Sequence, residues 1–563
     1  MAATTYSLGL DFGTSSVRAL IARVADGREV GLAVAPFPHG VGGVIGDERN
    51  PNVARQNPVD YKTSVEVAVQ QAILAAGDDP DFGCDRVIGI GVDATASTPI
   101  PVDANVRPLV DYPEFSRNLN AHAWLWKDHC AYAEAEEITE VARKHRPEFL
   151  AKCGGTYSSE WLLAKLLHCL RVAPELMRSA EDWVEQGDYI VGFLTGCTST
   201  QQVKRNVCAA GHKALYSDAW GGPPDTEFLT SVDPRLGDWC KDRLAAKTYT
   251  ARERAGTLCA EWADRFGLLA GTPVSVAAID AHVGAVGAGI RAGTLVKILG
   301  TSGCDMAVHP ANQPLADIPG LCGIVKDSIL PGHFGLEAGQ AALGDLFGWF
   351  VRNFTKPAGV SHTELTDQAA RLKAGESGLL GLDWNNGNRT VLTDPLLTGC
   401  LIGHTLQTRP FEVYRALLES SAFGARVIMQ RFEDYDVRVD NVVVCGGIAE
   451  KNELLLQIFA DVTRRPISIS RSQETCALGA AIFGSVAAGK NNNGHASVAA
   501  AQDAMTGLKD VRYEPNPQAS DVYDEIYRLY LLIHDAFGTP SSEGNLFGVM
   551  KKLIAIREKV RSG

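Results

Sequence analysis

A strand–turn–strand pattern that occurs once in each half of the chain constrains the fold more than any other feature. In the first copy, apolar residues alternate with small or polar ones over 6–10, stop at Asp11 and alternate again over 17–21. The residues between are Gly13-Thr-Ser-Ser16, so the pattern predicts two strands joined by a tight turn. The second copy, over 295–308, contains another Gly-Thr-Ser turn.

Both turns suit an anion, because small residues let backbone N–H groups approach a phosphate closely. An acidic residue beside such a turn, here Asp11, also offers an oxygen ligand for a magnesium ion bound to the phosphates. An ordinary hairpin is the alternative interpretation of either turn alone. The two turns together predict two similar domains that face each other across a nucleotide.

Buried strands that end in acidic or small residues accompany each hairpin. The apolar run over 87–93 ends at an aspartate, and so does the run over 274–280. In the second half, the run over 442–445 ends at Gly446. Glycines follow the run over 274–280 as far as Gly293, and this predicts a hinge between the halves.

The remaining patterns predict helices and one long loop. Apolar spacing predicts helices over 60–76 and 412–432, and two more in the tail, over 523–530 and 546–553. We expect the apolar stripes of the tail helices to pack against the protein rather than to form binding surfaces. The Gly/Pro-rich segment 36–58 is long enough to be functional.

One formal phosphate-binding motif fails its own requirements. Gly484-x4-Gly489-Lys490 has the spacing of a P-loop, but Asn491 replaces the hydroxyl residue that would bind magnesium. The motif also follows a predicted helix instead of lying between a strand and a helix. We interpret it as a helix C-terminus that leads into a polar loop.

Composition excludes several classes of function. A chain of 563 residues predicts at least two domains, and its net charge of −13 argues against binding to nucleic acid or to anionic lipid. Its 13 cysteines are scattered and form no Cys-x-x-Cys pair, as is typical of reduced thiols in a cytoplasmic protein. We expect no secretory signal and no membrane span.

Taken in order, the motifs of this chain resemble those of the FGGY carbohydrate kinases, within the sugar kinase/actin/Hsp70 superfamily. The resemblance covers nearly the whole chain and is carried by Gly9-Leu-Asp-Phe-Gly-Thr14, Gly89-Ile-Gly-Val-Asp-Ala-Thr95, Leu125-Trp-Lys-Asp-His129, Gly154-Gly-Thr-Tyr-Ser-Ser-Glu-Trp161, Ala210-Gly-His-Lys213, Asp280-Ala-His282, Leu299-Gly-Thr-Ser302, Gly335-Leu-Glu-Ala-Gly-Gln340, Leu382-Asp-Trp-Asn-Asn-Gly-Asn-Arg389 and Gly446-Gly-Ile-Ala-Glu-Lys-Asn452. The motifs around Trp126 and Glu337 are similar to the ribulokinase branch of the family rather than to its glycerol kinase or xylulokinase branches.

The resemblance implies an α/β protein of two duplicated actin/hexokinase-like (ribonuclease H-like) domains with a cleft between them. We expect an N-terminal, sugar-binding domain over residues 5–290 and a C-terminal, ATP-binding domain over 291–490. The segment 491–563 would be a loop and helices that pack on the C-terminal domain. These tail helices could also form a dimer contact, and a homodimer is possible.

For the chemistry, the resemblance implies transfer of the γ-phosphoryl group of ATP to a sugar hydroxyl. Such transfer depends on positioning and charge neutralisation, and on a group that accepts the hydroxyl proton. Asp280 matches the catalytic aspartate of the family, with a structural acid as the alternative. Asp93 is the second candidate base, although it could instead shape the sugar pocket. Asp11 would hold Mg²⁺ or stabilise the turn.

The resemblance also implies a set of ATP-binding residues, namely Thr14, Ser15, Arg18, Gly300, Thr301, Gly339, Gln340, Gly446, Gly447 and Asn452. Two of them have competing interpretations. Arg18 could be a solvated strand residue. Asn452 could be only the N-cap of the following helix.

The implied sugar-binding residues are Ala96, Trp126, Asp128, Lys213, Asp280 and Glu337, which combine charged partners for hydroxyls with one flat apolar wall. Ala96 could otherwise be a plain turn residue, Trp126 a core residue, and Lys213 and Glu337 surface charges. The expected substrate is a ketopentose, L-ribulose, which would be phosphorylated in L-arabinose catabolism. Other substrates of the family (D-ribulose, ribitol or xylulose) stay open, as does a non-catalytic ATPase or sugar sensor.

Overall fold

The computed structural model describes residues 4–356, 359–541, 543–548 and 551 of the chain. Its strands in chain order are β1 Tyr6–Phe12, β2 Ser16–Arg23, β3 Glu29–Pro36, β4 Ile45–Asp47, β5 Asn50–Gln56, β6 Val87–Ala94, β7 Pro99–Val102, β8 Ala123–Trp124, β9 Asp182–Glu185, β10 Arg254–Thr257, β11 Pro273–Ser275, β12 Ala278–Ile279, β13 Gly293–Leu299, β14 Gly303–Pro310, β15 Gly323–Lys326, β16 His333–Gln340, β17 Leu380–Leu382, β18 Cys400–Ile402, β19 Val439–Cys445, β20 Ile467–Ser470 and β21 Leu508–Tyr513.

The α-helices connect and cover these strands. In chain order they are α1 Pro58–Ala76, α2 Tyr132–His145, α3 Pro147–Ala151, α4 Leu162–Val172, α5 Pro174–Ser179, α6 Gln186–Leu194, α7 Val207–Ala214, α8 Thr226–Val232, α9 Pro234–Cys240, α10 Ala260–Phe266, α11 Asp280–Gly287, α12 Gly344–Phe350, α13 His362–Ala369, α14 Pro410–Glu433, α15 Glu453–Thr463, α16 Thr475–Ala488, α17 Val498–Met505 and α18 Pro517–Gly538. None of the helices within the described ranges is both long and apolar enough to cross a membrane.

The two predicted hairpins occupy the centres of two sheets with the same local topology. In the first sheet, β1 pairs antiparallel with β2 and parallel with β6, and β3 extends the β2 side. In the second sheet, β13 pairs antiparallel with β14 and parallel with β19, and β16 extends the β14 side. The repeated pattern in the sequence therefore corresponds to a repeated unit of structure.

Each sheet has its own apolar core, and one further cluster joins the two halves. This joining cluster contains residues of β2, β12 and α11 from the N-terminal half and of β13, β14, β19, α16 and α17 from the C-terminal half. Helix α16 contributes the most residues to it, and this helix is buried on nearly all sides. A helix that is apolar all round belongs inside a protein, where it contacts other elements on every face.

The backbone of α16 contacts the first sheet closely enough to require glycine. A Cβ atom built on Gly9 of β1 would lie 1.8 Å from the carbonyl oxygen of Ala477, and one on Gly91 of β6 would lie 1.8 Å from that of Ala480. No side chain fits at such a distance. The glycines of the first sheet therefore fix the contact between the sheet and α16.

The structure bears out several local predictions. The predicted helices over 60–76 and 412–432 correspond to α1 and α14, and the apparent P-loop does follow a helix, since α16 ends just before Gly489. The first tail helix is α18, whose Tyr523 and Tyr530 are buried against the C-terminal core. Half of the second predicted tail helix, residues 549, 550, 552 and 553, lies outside the described residues.

Two local predictions were wrong. The segment 36–58 contains the hairpin β4–β5, which pairs with β8, rather than a loop alone. The buried strand predicted over 274–280 is interrupted, giving β11 and β12, and α11 follows it; a hinge before Gly293 stays a prediction. The apolar run looks continuous because Val276 and Ala277, which separate the two strands, are apolar and buried like the strands themselves.

The glycine contact with α16 predicts a large effect of adding one methyl group. We expect Gly91→Ala to lower the free energy of unfolding by about 3 kcal/mol or more, because the new Cβ must displace helix backbone rather than a flexible side chain. Chemical denaturation followed by circular dichroism measures this. Gly46→Ala is the control, since its Cβ would meet nothing closer than 3.8 Å. Equal stability of the two variants would contradict the argument.

Candidate active site

Three aspartates meet at one edge of the first sheet. Asp11 of β1 is the direct partner of Asp93 in the parallel register with β6. Asp93 is also the partner of Ala278 in β12, two residues before Asp280. Because the carboxyl ends of parallel strands lie at the same edge, the three carboxyl groups are neighbours, and this edge faces the C-terminal half.

Asp93 is the most deeply buried of the three. It is fully buried, and neither of its carboxyl oxygens has a hydrogen-bond partner among the described residues. Burial raises the pKa of Asp93 well above its usual range, and the nearby Asp11 and Asp280 raise it further. The charged form of Asp93 is therefore disfavoured, and full burial separates its carboxyl group from a sugar hydroxyl, so Asp93 is the weaker candidate for the base.

Asp280 begins helix α11 and is only half-buried, so its carboxylate reaches the space between the halves. Its Oδ1 accepts a hydrogen bond of 2.7 Å from the backbone N–H of Ala281. Burial and the neighbouring Asp11 raise the pKa of Asp280 to about 7. A carboxylate with a pKa near the working pH suits general-base catalysis.

Arg18 joins the aspartate edge to the C-terminal half. Its Nη1 donates to Asp11 Oδ2 at 3.0 Å, and its Nε lies 3.3 Å from Glu474 Oε2. Glu474 directly precedes helix α16. Arg18 is therefore a paired residue rather than a freely solvated one, and its guanidinium is close to the predicted phosphate site.

The first turn predicted to bind phosphate is held by a backbone hydrogen bond, and part of it is exposed to solvent. The N–H of Gly13 donates to the carbonyl of Ser16 at 3.0 Å, and Ser15 is exposed. The hydroxyl of Thr14 accepts a hydrogen bond of 3.0 Å from the indole N–H of Trp126. This contact connects the phosphate turn to a loop that carries predicted sugar-binding residues.

The second turn, between β13 and β14, begins the opposite wall. Gly300 donates through its N–H to the carbonyl of Ser302 at 3.0 Å, and Thr301 is exposed. The start of α12 is fastened to this turn, since the N–H of Leu343 donates to the carbonyl of Thr301 at 2.9 Å. Both turns thus present accessible hydroxyls beside a fixed backbone.

The side chain of Gln340 lies beside this second turn and forms buried hydrogen bonds on both of its polar atoms. Its Oε1 accepts from Lys297 Nζ at 2.8 Å, and its Nε2 donates to Asp383 Oδ2 at 2.7 Å. Lys297 is fully buried and also pairs with Asp305, its cross-strand partner. The polar atoms of Gln340 are used within the protein, whereas the sequence predicts contact with ATP. Gly339 next to it is buried too.

The glycines after β19 leave an open surface where the sequence predicts adenosine. Gly446 has a φ of +94°, and a Cβ there would lie 2.7 Å from the carbonyl oxygen of Leu299. At Gly447 nothing lies within 4 Å of a built Cβ. Asn452 caps helix α15, because its Oδ1 accepts from the N–H of Leu455 at 3.0 Å. Asn452 therefore does cap the helix, and a contact between its side chain and ATP stays a prediction.

The predicted sugar residues Lys213 and Glu337 form an ion pair between the halves. Lys213 Nζ lies 3.2 Å from Oε1 and 3.1 Å from Oε2 of Glu337. Burial opposes the charge of each group, but the partner outweighs it, so the pKa of Glu337 is lowered and the pKa of Lys213 is raised. Both groups stay charged, and neither is the surface residue of the alternative interpretation.

Two histidines that sequence reasoning left out of the site surround Glu337. The rings of His212 and His282 lie 4.5 Å apart between centroids, and both contact Glu337 Oε2, at 3.4 Å and 3.6 Å. Burial lowers the pKa of each imidazole. The sequence offered one signal for each histidine: His212 is next to Lys213, and His282 is two residues after Asp280. Neighbouring positions do not indicate where a side chain points, however.

The remaining predicted sugar residues differ in access. Ala96 and Trp126 are half-buried and can contact a ligand. Asp128 is fully buried, and its Oδ2 accepts from the N–H of Ala54 at 2.7 Å and from the guanidinium of Arg55. A direct contact between Asp128 and a sugar was predicted, but the carboxylate is enclosed by protein groups. It holds the loop that carries Trp126.

Comparison with known proteins identifies relatives along nearly the whole chain. Residues 6–287 match the N-terminal domain, and residues 295–488 the C-terminal domain, of the FGGY family of carbohydrate kinases. The chain is 41% identical over 571 residues to a ribulokinase of Geobacillus thermodenitrificans, covering 99% of this chain and 98% of that protein. It is 38% identical over 576 residues to a ribulokinase of Mycolicibacterium smegmatis, covering 100% and 99%.

Solved structures show the same fold at lower identity. A xylulose kinase from Rhodospirillum rubrum superposes with a TM-score of 0.74 at 23% identity, covering 94% of this chain and 98% of that one. A Plasmodium falciparum glycerol kinase solved with ADP gives a TM-score of 0.75 at 15% identity, covering 94% and 98%. The arrangement of two duplicated domains therefore matches the fold that the sequence predicted.

The clustering of acids predicts that the ionised form of Asp280 lowers the free energy of unfolding. Because the pKa of Asp280 is raised in the folded state, ionisation of Asp280 disfavours folding, and this penalty grows as the pH rises from about 4 through about 7. We expect Asp280→Asn to raise the free energy of unfolding by about 1–2 kcal/mol at pH 8. The gain should shrink towards pH 5. Thermal unfolding without ligands across this range measures it, and a gain independent of pH would contradict the assignment.

Proposed function

Because this chain belongs to the FGGY family of carbohydrate kinases, we propose that it transfers the γ-phosphoryl group of ATP to the terminal hydroxyl of a ketopentose. The proposed substrate is L-ribulose, since the curated relatives that match along nearly the full length are ribulokinases. The product would be L-ribulose 5-phosphate.

One observation carries the chemical part of this proposal. A half-buried carboxylate, Asp280, lies at a sheet edge beside the turn at Thr14, and the C-terminal half faces this edge. In the reaction, Asp280 takes the proton of the sugar hydroxyl while the new O–P bond forms and the bond between the γ-phosphorus and ADP breaks. Positioning of the two reactants supplies most of the remaining rate.

The aspartate edge also fits a magnesium ion. Its donors are carboxylate oxygens, which Mg²⁺ prefers, and both oxygens of Asp93 lack partners among the described residues. Asp11 is the residue that would hold the ion. When bound, Mg²⁺ neutralises negative charge on the phosphates of ATP.

The sugar would lie between Lys213 and Glu337 on one side and the loops of Ala96 and Trp126 on the other. Charged groups of both signs suit a polyhydroxy substrate, because hydroxyls both donate and accept hydrogen bonds. Since Lys213 and Glu337 come from opposite halves, a bound sugar would contact both halves at once. Closure around it would exclude water from the phosphoryl transfer.

The proposed activity is tested by measuring ATP consumption with a panel of sugars and polyols. We expect turnover with L-ribulose, and less or none with D-ribulose, xylulose or ribitol. Preference for one of these three would replace the substrate but keep the kinase. ATP hydrolysis of the same rate with and without every sugar would support an ATPase and contradict the proposal.

The role of Asp280 predicts a pH dependence. Only the ionised carboxylate accepts a proton, so kcat/KM for the sugar should fall about tenfold per pH unit below about 7 and level off above it. Asp280→Asn should reduce kcat by about 100- to 10,000-fold while ATP still binds. Steady-state kinetics and nucleotide titration measure the two effects. A variant with near-normal kcat would rule out Asp280 as the base.

A further inference from the structure

We propose that Lys165, on helix α4, is a positioning residue that holds the two sugar-binding loops of the N-terminal half in one geometry; this rests on the proposed function. Lys165 is fully buried in an otherwise apolar helical core. Its ammonium group donates to the backbone carbonyls of Ser97 at 2.8 Å, Trp124 at 3.1 Å and Leu125 at 2.9 Å.

These three contacts use the whole hydrogen-bonding capacity of the side chain. An ammonium group has three N–H donors and no acceptor, and each donor here has a carbonyl partner. Within the part of the chain that the structure describes, Lys165 forms no ion pair with a carboxylate. The charge is therefore stabilised by backbone dipoles, and the position of each carbonyl is tied to the same nitrogen.

The three carbonyls lie in, or directly before, two loops that carry predicted sugar contacts; Trp124 is the last residue of β8. Ser97 directly follows Ala96, in the turn after β6. Trp124 and Leu125 directly precede Trp126. The two loops are otherwise distant in sequence, so Lys165 sets how far Ala96 lies from Trp126.

Other contacts extend this arrangement towards the nucleotide and towards the rest of the domain. Trp126 donates to the hydroxyl of Thr14 in the phosphate turn. Ser97 Oγ and the N–H of Thr98 donate to Glu185, at 3.0 Å and 2.9 Å. A shift of the two loops would therefore move the sugar relative to the phosphates, and small displacements of a reactant cost large factors in rate.

A buried charge is an expensive way to fill a core position, which argues against a purely structural role. Burial is the main reason that the pKa of Lys165 is lowered to about 8. Attraction to Asp128, Glu185 and Glu160 raises the pKa in part, and repulsion from Arg55 lowers it further. At neutral pH the charged form thus costs stability. Loss of the proton leaves two N–H donors for three carbonyls, so one loop loses its hydrogen bond.

The test compares Lys165→Met with wild type in steady-state kinetics and in sugar binding by calorimetry. Methionine keeps the length and removes the donors. We expect the KM for L-ribulose to rise about tenfold or more, while the KM for ATP changes less than about twofold. Lys62→Met is the control, because Lys62 is half-buried on α1 and its ammonium group lies over the rings of Tyr189 and Phe193 on α6. It should leave both KM values unchanged.

A pH series provides a second readout that a merely structural role would not move. In wild type the sugar should bind more weakly as the pH rises through about 8, and Lys165→Met should lose this dependence. Lys213 does not account for it, because its pKa is raised, and the pKa of Asp280 lies about one unit below that of Lys165, near 7. If the variant fails to fold, the wild-type series decides, and sugar affinity that is constant from pH 7 to about 9.5 overturns the proposal.

The outcomes separate this proposal from the proposed function. Absence of sugar phosphorylation by wild type contradicts the function. A wild type that phosphorylates the sugar, with a folded Lys165→Met variant of unchanged sugar KM, contradicts only the positioning role. Equal increases in the KM for sugar and for ATP would also contradict it, because they indicate a general loss of structure.

Discussion

The parallel pairing of β1 with β6 is the interaction on which the rest of the site depends. It sets Asp11 directly opposite Asp93, and the pairing of β12 with β6 then brings Asp280 to the same edge. The register is fixed from behind, because α16 contacts Gly9 and Gly91 too closely for any side chain. A shift of one residue would move the aspartates to the opposite face of the sheet and set side chains against the helix.

Three carboxylates at one edge repel each other, and the surroundings of each one reduce this repulsion in a different way. At the fully buried Asp93, burial and the two neighbouring acids disfavour the charged form. Asp11 is neutralised by Arg18, which in turn contacts Glu474 of the other half. Asp280 is left with a pKa of about 7, so the arrangement that lowers stability also creates a usable base.

The sequence was sufficient for the elements whose signal is local. Both hairpins, the strands that end at Asp93 and Gly446, and the helices α1 and α14 could be predicted from residue alternation and spacing. The division of the apolar run before Asp280 could not, since buried strands and buried helices have the same composition.

Side-chain roles were predictable only where the partner is close in sequence. The capping role of Asn452 follows from the residues that come next to it. Asp128 is enclosed by Ala54 and Arg55, more than 70 positions earlier, and a single sequence does not indicate that contact. The same holds for Gln340, whose partner Asp383 belongs to a different segment.

The contacts between the halves differ in what they can contribute to closure. Lys152 with Asp317 and Lys326 with Asp218 also join the halves, but these pairs are partly or largely exposed, and such pairs contribute little because water and salt screen them. The pair of Lys213 and Glu337 is buried, with two neutral imidazoles around the carboxylate. Separating the halves would break the hydrogen bonds between Lys213 and Glu337. The hydroxyls of a polyhydroxy sugar between the two side chains could replace these bonds. If the proposed sugar site is correct, closure would therefore depend more on the sugar than on the surface ion pairs.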